Sequence, residues 1–298
     1  MSKKPRKSSI LTGSVIDPQR FHKSQLKFYA YLVPIVVFMS LPILYIVATA
    51  FKPLDELAAF PPRFWVISPT LNNFVDLAKV SGGFGVPVSR YLFNSLLVSA
   101  AVVFLTLVLS VTAGYALSKK RFRGRELFGA INTLALMFVP VAVAIPRFLI
   151  VAGSGMTNTY LAHIVPLIAL PVGLFLLKQF IDQIPDSLLE AARIDGAGDF
   201  RILLHVIVPN ILPALATVAI LSFQTVWNGT ETSAFFVTDE SLKTFAYSLS
   251  VLSSAGSNTA VGQGIAAAAA LVQFLPNLVL FVLLQSRVMN TLVHSGIK

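Results

Sequence analysis

The chain has 298 residues, of which 55% are hydrophobic and only 12% are charged, and its mean hydropathy is +0.77. Because a soluble domain carries about 25% charged residues, this composition excludes an ordinary soluble protein and indicates a chain that uses lipid as its solvent. There is no cysteine, which excludes disulfides, a thiolate metal site and a cysteine nucleophile.

Six apolar runs are each close to the length needed to cross a bilayer, which is about 20 residues at about 1.5 Å rise per residue. They predict an all-α membrane protein in which a basic N-terminal segment, 1–27, precedes a transmembrane domain, 28–298. A loop at 184–205 separates the fourth run from the fifth. In chain order, the predicted spans are 28–51, 91–117, 127–150, 160–177, 206–227 and 264–284.

Lysine and arginine are unevenly distributed between alternate loops. Seventeen of the 23 lie in segment 1–27, in the loops after the second and fourth spans and in the C-terminal tail; five lie in the other loops, and Arg147 lies in or near the third span. Because basic loops remain in the cytoplasm, this pattern predicts a multi-pass inner-membrane protein with both termini in the cytoplasm. The net charge of +10 is assigned to topology and to anionic lipid, and no nucleic-acid partner is predicted.

Ionisable side chains are nearly absent from the predicted spans, where only Arg147 and His163 occur besides tyrosine. An ion-coupled transporter usually places such groups at mid-membrane, so we expect the energy for any transport to enter elsewhere. No G-x-x-x-x-G-K-[ST] phosphate loop occurs, and we predict that this chain binds no ATP, cofactor or metal ion itself. The predicted spans contain no Ser/His/Asp cluster and no pair of carboxylates, so nothing at membrane depth indicates an enzyme.

The most informative segment of the sequence is the loop 184–205. Asp186 is expected to cap a short helix, and Asp199 to begin a second one. Between them, Gly196 and Gly198 permit a sharp turn. The sequence therefore predicts a compact helix–turn–helix that projects from the membrane and can enter a cleft in a partner protein.

This segment resembles the EAA loop of ABC importer permeases, which reads E-A-A, three residues, G, nine residues, I-x-L-P. Glu190-Ala191-Ala192 is followed at the required spacing by Gly196 and then by Val206-Ile207-Val208-Pro209, and Asp195-Gly196-Ala197 matches the more specific D-G-A form. The resemblance extends over nearly the whole chain beyond residue 27. It is to the second permease subunit of the carbohydrate-uptake group, the maltose-permease type, and includes Phe51-Lys52-Pro53, Asn94-Ser95 and Trp227-Asn228.

The resemblance implies the type I importer permease fold and a transport subunit, not itself an enzyme, in the inner membrane of a bacterial or archaeal cell. It also implies four kinds of partner: a second permease subunit in a heterodimer, a pair of ATPase subunits that hold ATP and Mg²⁺, an extracytoplasmic solute-binding protein, and a sugar or oligosaccharide that is translocated by alternating access. Pro209 and Pro213 are expected to shape the start of the fifth span. The residues expected to couple to the ATPase are Glu190, Ala191, Ala192, Asp195, Gly196 and Ala197.

Several alternatives remain open. Trp227 and Asn228 could contact a sugar in the substrate pathway, or they could be an interfacial anchor and a helix-ending residue. Arg147 could meet an acidic sugar in that pathway, or its side chain could snorkel to the outer interface. The solute could instead be a polyol, glycerol phosphate or uronate oligosaccharide. From other classes, the chain could be an ion-coupled secondary transporter, or a membrane receptor or scaffold.

Overall fold

The computed structural model of the chain describes residues 26–83, 85–256 and 259–295, so nearly all of the predicted segment 1–27 lies outside the described residues. Within those ranges, every regular element is a helix, which confirms the predicted all-α class. In chain order, the α-helices are α1 (Leu26–Phe51), α2 (Leu54–Leu57), α3 (Asn72–Gly83), α4 (Val88–Lys119), α5 (Arg125–Ala135), α6 (Ala144–Gly153), α7 (Tyr160–Ile164), α8 (Pro171–Asp182), α9 (Asp186–Ile194), α10 (Asp199–Ile202), α11 (Val208–Asn210), α12 (Leu212–Trp227), α13 (Glu231–Phe235), α14 (Phe245–Gly256) and α15 (Ala260–Ser295).

Three of these helices are long and apolar enough to cross a membrane, and two bent pairs of helices pass the same test together. The described part of the chain therefore holds three to five candidate spans by length and composition, and the predicted number of six stays a prediction. The three helices are Phe28–Phe51, Val88–Lys119 and Ala260–Gln285; the bent pairs are Tyr160–Leu167 with Pro171–Asp182, bent by 44°, and Asp199–Asn210 with Leu212–Phe235, bent by 84°.

The predicted third span, 127–150, is divided into two helices in the structure. Helix α5 ends at Ala135, and α6 begins only at Ala144, after a short 3₁₀ turn over Pro140–Val143. Proline lacks a backbone N–H group, and its ring clashes with the carbonyl group four residues earlier, so it interrupts an α-helix. Hydrophobicity alone does not reveal this break, because the interrupting residues are themselves apolar.

Helix α4 is the central element of the bundle and packs against both α8 and α12. Glycine permits two of the close approaches between these helices. A Cβ atom added at Gly114 on α4 would lie 3.2 Å from Ile181 Cδ1, and one added at Gly173 on α8 would lie 3.0 Å from Val218 Cγ1. Small residues at such crossings allow helix backbones to pack closely inside a membrane.

A third close approach joins α3 to α15 beside the end of α1. The Asn73 side chain is buried and donates hydrogen bonds to the carbonyl oxygens of Ala50 (2.9 Å) and Lys52 (2.8 Å), which the end of α1 leaves without helical partners. A Cβ atom added at Gly264 on α15 would lie 2.5 Å from Asn73 Oδ1 and 2.8 Å from Leu57 Cδ1. Gly264 therefore leaves the space that Asn73 needs to bind the end of α1.

Gly264→Ala is expected to destabilise the protein, because the added methyl group displaces a side chain that is held by two hydrogen bonds. Overpacking of this kind costs about 1–3 kcal/mol, so the midpoint of thermal unfolding in detergent should fall. The matched control is Gly129→Ala in α5, where an added Cβ meets nothing within 4 Å; it should leave the midpoint unchanged or raise it. Equal midpoints for the two variants would contradict this packing.

Candidate functional site

Two short helices, α9 and α10, occupy the loop 184–205. Together with the turn between them, residues 186–202 are called the coupling segment below. Helix α9 begins one residue earlier than expected: Pro185 stands at its N-cap position, and no side chain bonds the free N–H groups there. The prediction that Asp186 caps this helix is therefore wrong, because its carboxylate is held by Lys119 instead.

Gly196 ends α9 in the left-handed backbone conformation, with φ +81°. The amide of Ala197 donates to the carbonyl of Ala192 (2.9 Å), and the amide of Gly196 donates to the carbonyl of Arg193 (3.0 Å). This pair of bonds is the Schellman arrangement, in which two of the last free carbonyl groups of a helix are satisfied. Ala192 and Ala197 are both partly buried against the same apolar cluster. The two small residues of the predicted motif thus close the turn.

Two lysines at the end of α4 hold the coupling segment in place. The Nζ atom of Lys119, a buried side chain, donates to Asp186 Oδ1 (2.8 Å) and to the carbonyl of Ile184 (2.6 Å). Lys120 forms an ion pair with Asp199, the first residue of α10. Each helix of the segment is therefore fastened at its first residue to the central helix of the bundle.

The hydrogen bond from Lys119 lowers the pKa of Asp186 below its usual range, and the hydrogen bond from Lys120 does the same for Asp199. Because the charged form of each carboxyl group is favoured in the folded protein, each contribution is fully present above the ordinary pKa of about 4. It is lost only as the pH falls through the lowered value. Both attachments are therefore complete near neutral pH.

The inner face of the coupling segment packs on the membrane helices. Leu189 of α9 and Ile202 of α10 are buried in one apolar cluster with Tyr115 of α4 and with Leu177 and Ile181 of α8. Burial of each such side chain stabilises the contact by about 1.5–3 kcal/mol. The segment is thus a rigid extension of the bundle and not a loose loop.

The outer face presents large apolar side chains to solvent. Ile194 is 86% exposed and Phe200 is 74% exposed, and Glu190 and Ala191 are exposed beside them on α9. Exposed apolar groups with polar neighbours are available for contact with another protein. Sequence reasoning missed Ile194, although it lies four residues after Glu190 and hence on the same side of the helix. Asp195 is also exposed, at the turn.

The fifth predicted span, 206–227, is straight only over α12. Residues Leu203–Ile207 form a π-helical turn that continues from α10 into α11, and the chain then bends by 84° at Ile211. Pro209 and Pro213 lie on either side of this bend. Pro213 lies in the first turn of α12, where the missing N–H group has no helical partner to lose, whereas Pro209 directly follows the π-helical turn inside a continuous helical stretch.

Trp227 and Asn228, at the end of α12, face different surroundings. The Trp227 ring is 2% exposed and stacks on Phe223, with 5.5 Å between the ring centroids, and its Nε1 atom donates to the carbonyl of Gln273 (2.8 Å). Asn228 is exposed, and its Oδ1 atom accepts from Gln273 Nε2 (3.3 Å) and from Asn277 Nδ2 (3.1 Å). The two α15 partners were not identified from the sequence.

Arg147 forms an ion pair that the sequence did not reveal. Its Nη1 atom lies 3.2 Å from both carboxylate oxygens of Glu231, at the start of α13. Next to Glu231, Thr232 bonds the buried ring of His163 (2.8 Å). In the described part of the chain, no group of three or more His, Asp or Glu side chains could hold a metal ion.

Comparison with known protein families gives one matching family model, described as "Binding-protein-dependent transport system inner membrane component". That model matches residues 107–286, more than half of the chain. The chain belongs to this family. The permease is 28% identical over 277 residues to an inner membrane ABC transporter permease protein of Escherichia coli (strain K12), covering 92% of this chain and 97% of that relative.

One further relative and one solved structure are similar to this chain, the first in sequence and the second in fold. The permease is 28% identical over 276 residues to the arabinooligosaccharides transport system permease protein of Halalkalibacterium halodurans, covering 91% of this chain and 94% of the relative. Its fold matches a chain of a bacterial ABC transporter involved in the import of the acidic polysaccharide alginate, with a TM-score of 0.74 at 22% sequence identity. That match covers 90% of this chain and 98% of the other.

Gly196→Ala is expected to weaken the end of α9, because an L-residue in the left-handed conformation costs about 1–2 kcal/mol. Hydrogen exchange at the amide of Ala197 should then be roughly 5–30-fold faster. The matched control is Gly198→Ala, because Gly198 has φ −71° and both glycines have open space around an added Cβ. If both variants exchange at the same rate, the glycine cap is not what orders this turn.

Proposed function

We propose that this permease is one membrane-spanning subunit of an ATP-driven importer that moves a sugar or oligosaccharide into the cytoplasm by alternating access. The single observation that carries the proposal is the coupling segment, a rigid element that is fastened to the bundle and exposes apolar residues outward. Its partner in this proposal is a separate pair of ATPase subunits that hold ATP and Mg²⁺, and this chain itself binds neither.

The coupling segment is suited to transmit a force. Binding of ATP changes how the ATPase subunits pack, and a partner can shift the permease only through contacts that differ between its two states. A segment whose two helices are both attached to α4 moves with that helix as one body, as in hinge and shear transitions. In this proposal, Glu190, Ala191 and Ile194 contact the ATPase, while the cap at Gly196 keeps α9 in a fixed orientation.

A sugar or oligosaccharide is the proposed solute, moved by a complex that also contains a second permease and an extracytoplasmic solute-binding protein. The relatives support the class, since one is named for arabinooligosaccharides and the matched structure is involved in alginate import. Because Glu231 already neutralises the charge of Arg147, that arginine gives no reason to favour a uronate or a phosphate. A polyol, a glycerol phosphate and a uronate oligosaccharide are the alternative solutes.

The end of the bundle that carries the coupling segment is proposed to face the cytoplasm, as are both chain termini. The basic loop 119–125 and the segment lie at this same end, where Lys119 and Lys120 join them. Arg90, at the start of α4, and Ser241 are both assigned to the other side, and Arg90 Nε donates to the Ser241 carbonyl (3.0 Å). The segments that contact each other are thus the ones that the distribution of positive charge assigns to the same side.

Glu190→Lys is expected to reduce ATP-dependent uptake at least tenfold in proteoliposomes that contain the complete importer. The charge reversal falls on the exposed face of α9, where it places a repulsive charge in the contact with the ATPase. The matched control is Glu126→Lys on α5, an exposed glutamate outside the coupling segment, which should leave uptake unchanged. Normal uptake by the Glu190→Lys variant would argue against the coupling role.

The same preparation separates this function from the two other classes. Uptake that continues when ion gradients are dissipated, and that stops when ATP is removed, supports the importer. Uptake that collapses with an uncoupler while ATP is held constant would establish a secondary transporter. A receptor or scaffold would move no solute into the vesicles at all.

A further inference from the structure

A polar cluster lies where the end of α12 meets the middle of the apolar stretch of α15. Gln273 stands near the middle of the apolar stretch Ala260–Gln285, and Asn277 follows one helical turn later. Both side-chain amides contact Asn228 at the end of α12, and Gln273 also donates to the carbonyl of Trp227 (2.6 Å). Three amide side chains thus meet in a region that is otherwise almost entirely apolar.

The arrangement fixes the orientation of the Asn228 amide. Gln273 Nε2 must be the donor to the Trp227 carbonyl, because an oxygen placed there would be repelled, so its amide orientation is determined. Both neighbours then turn their NH₂ groups toward Asn228 Oδ1, which accepts from the two of them. The Oδ1 atom of Asn228 is therefore directed at α15, and its Nδ2 atom points elsewhere.

Holding the Asn228 amide in this orientation leaves two buried acceptors without hydrogen bonds. Gln273 Oε1 and Asn277 Oδ1 are buried and accept no hydrogen bond within the described ranges. Each such acceptor costs about 1–3 kcal/mol, and groups of this kind in native proteins often serve a function. Two helix residues thus give up their own acceptors to hold a third side chain in one direction.

The Nδ2 group of Asn228 is left as an outward donor. Asn228 is exposed on this subunit, and no described residue accepts a hydrogen bond from its side chain. Lipid tails cannot accept one, so a donor at this depth has to face a protein surface or a water-filled pathway. Transport proteins bind their solutes near the bilayer midplane, at the interface between two halves.

We propose that Asn228 donates a hydrogen bond from Nδ2 to a hydroxyl oxygen of the transported carbohydrate, and that Gln273 and Asn277 are positioning residues that hold it in this orientation. The inference deepens the proposed function and rests on it. It differs from a general pathway role because it names the donor atom, the two residues that aim it and the chemical group that it recognises. A contact with the second permease subunit is the competing use of the same donor.

Asn228→Asp tests the outward donor, Nδ2, separately from the oxygen that accepts from Gln273 and Asn277. The aspartate keeps an oxygen for the amides of Gln273 and Asn277, but it replaces the outward donor with an acceptor. In the reconstituted complete importer, radiolabelled maltose, trehalose and arabinotriose would be screened, and the sugar that the wild type takes up would be used. We expect the KM for uptake to rise about tenfold, which is the loss of one such bond, while the permease pair stays assembled.

Asn277→Ala is the second variant and tests the positioning role. It should raise the KM about threefold, and it should add nothing further in an Asn228→Ala background, since residues that act through one group are not additive. The matched control is Thr225→Val, one helical turn from Asn228, where the exposed hydroxyl already donates to the carbonyl of Leu221 (2.8 Å). That variant should keep the wild-type KM.

The possible outcomes test the inference and the proposed function separately. A wild-type KM in Asn228→Asp, or additive effects of Asn228→Ala and Asn277→Ala, would overturn the inference. Dissociation of the permease pair in Asn228→Asp would overturn it in favour of a subunit contact. If the wild type takes up none of the sugars, the proposed solute class fails and the inference fails with it. Wild-type uptake of a sugar without ATP would refute only the proposed energy source, and the KM comparison would still stand.

Discussion

Lys119 joins two parts of the chain that are 67 residues apart in sequence, because its ammonium group bonds both the carbonyl of Ile184 and the carboxylate of Asp186. A buried ammonium group is stable only when it is paired in this way. The end of α4 and the start of α9 are consequently one mechanical unit. The central helix of the bundle cannot be displaced without the coupling segment, and every proposal about energy transfer in this permease depends on that attachment.

The same physical rule explains how the bundle accommodates helices that break inside the membrane. Between the 3₁₀ turn at Val165–Leu167 and α8, the backbone leaves carbonyl groups without helical partners. Thr106 on α4 donates to the Ile168 carbonyl in this gap (3.1 Å). Asn132 on α5 donates to the carbonyl of Pro171, the first residue of α8 (3.2 Å). Lipid cannot supply such donors, so neighbouring helices must. The uncharged polar residues of the apolar runs are therefore part of the architecture.

Local patterns explain what could be predicted from the sequence. The all-α class follows from long apolar runs, and the helix–turn–helix follows from its glycine turn and short amphipathic arms. The helix break within the predicted span 127–150 could not be predicted, because its residues are as apolar as the helices on either side. The partner of Arg147 escaped because Glu231 is 84 residues away, and no periodicity encodes such a tertiary pairing. Asp186 was misassigned for the same reason, since Lys119 competes with the helix terminus for its carboxylate.

Helix α12 connects the two regions on which the proposals depend. Its first residue follows the 84° bend after the coupling segment, and its last residue, Trp227, precedes Asn228. Sixteen residues at about 1.5 Å each separate these ends by about 24 Å. Helix α15 packs against α1 and α3 as well as against α12. Under the proposed mechanism, a rotation of α12 relative to α15 would change the bonds between Asn228 and its two amide partners. The affinity for solute would then differ between the two states, which is the property that alternating access requires.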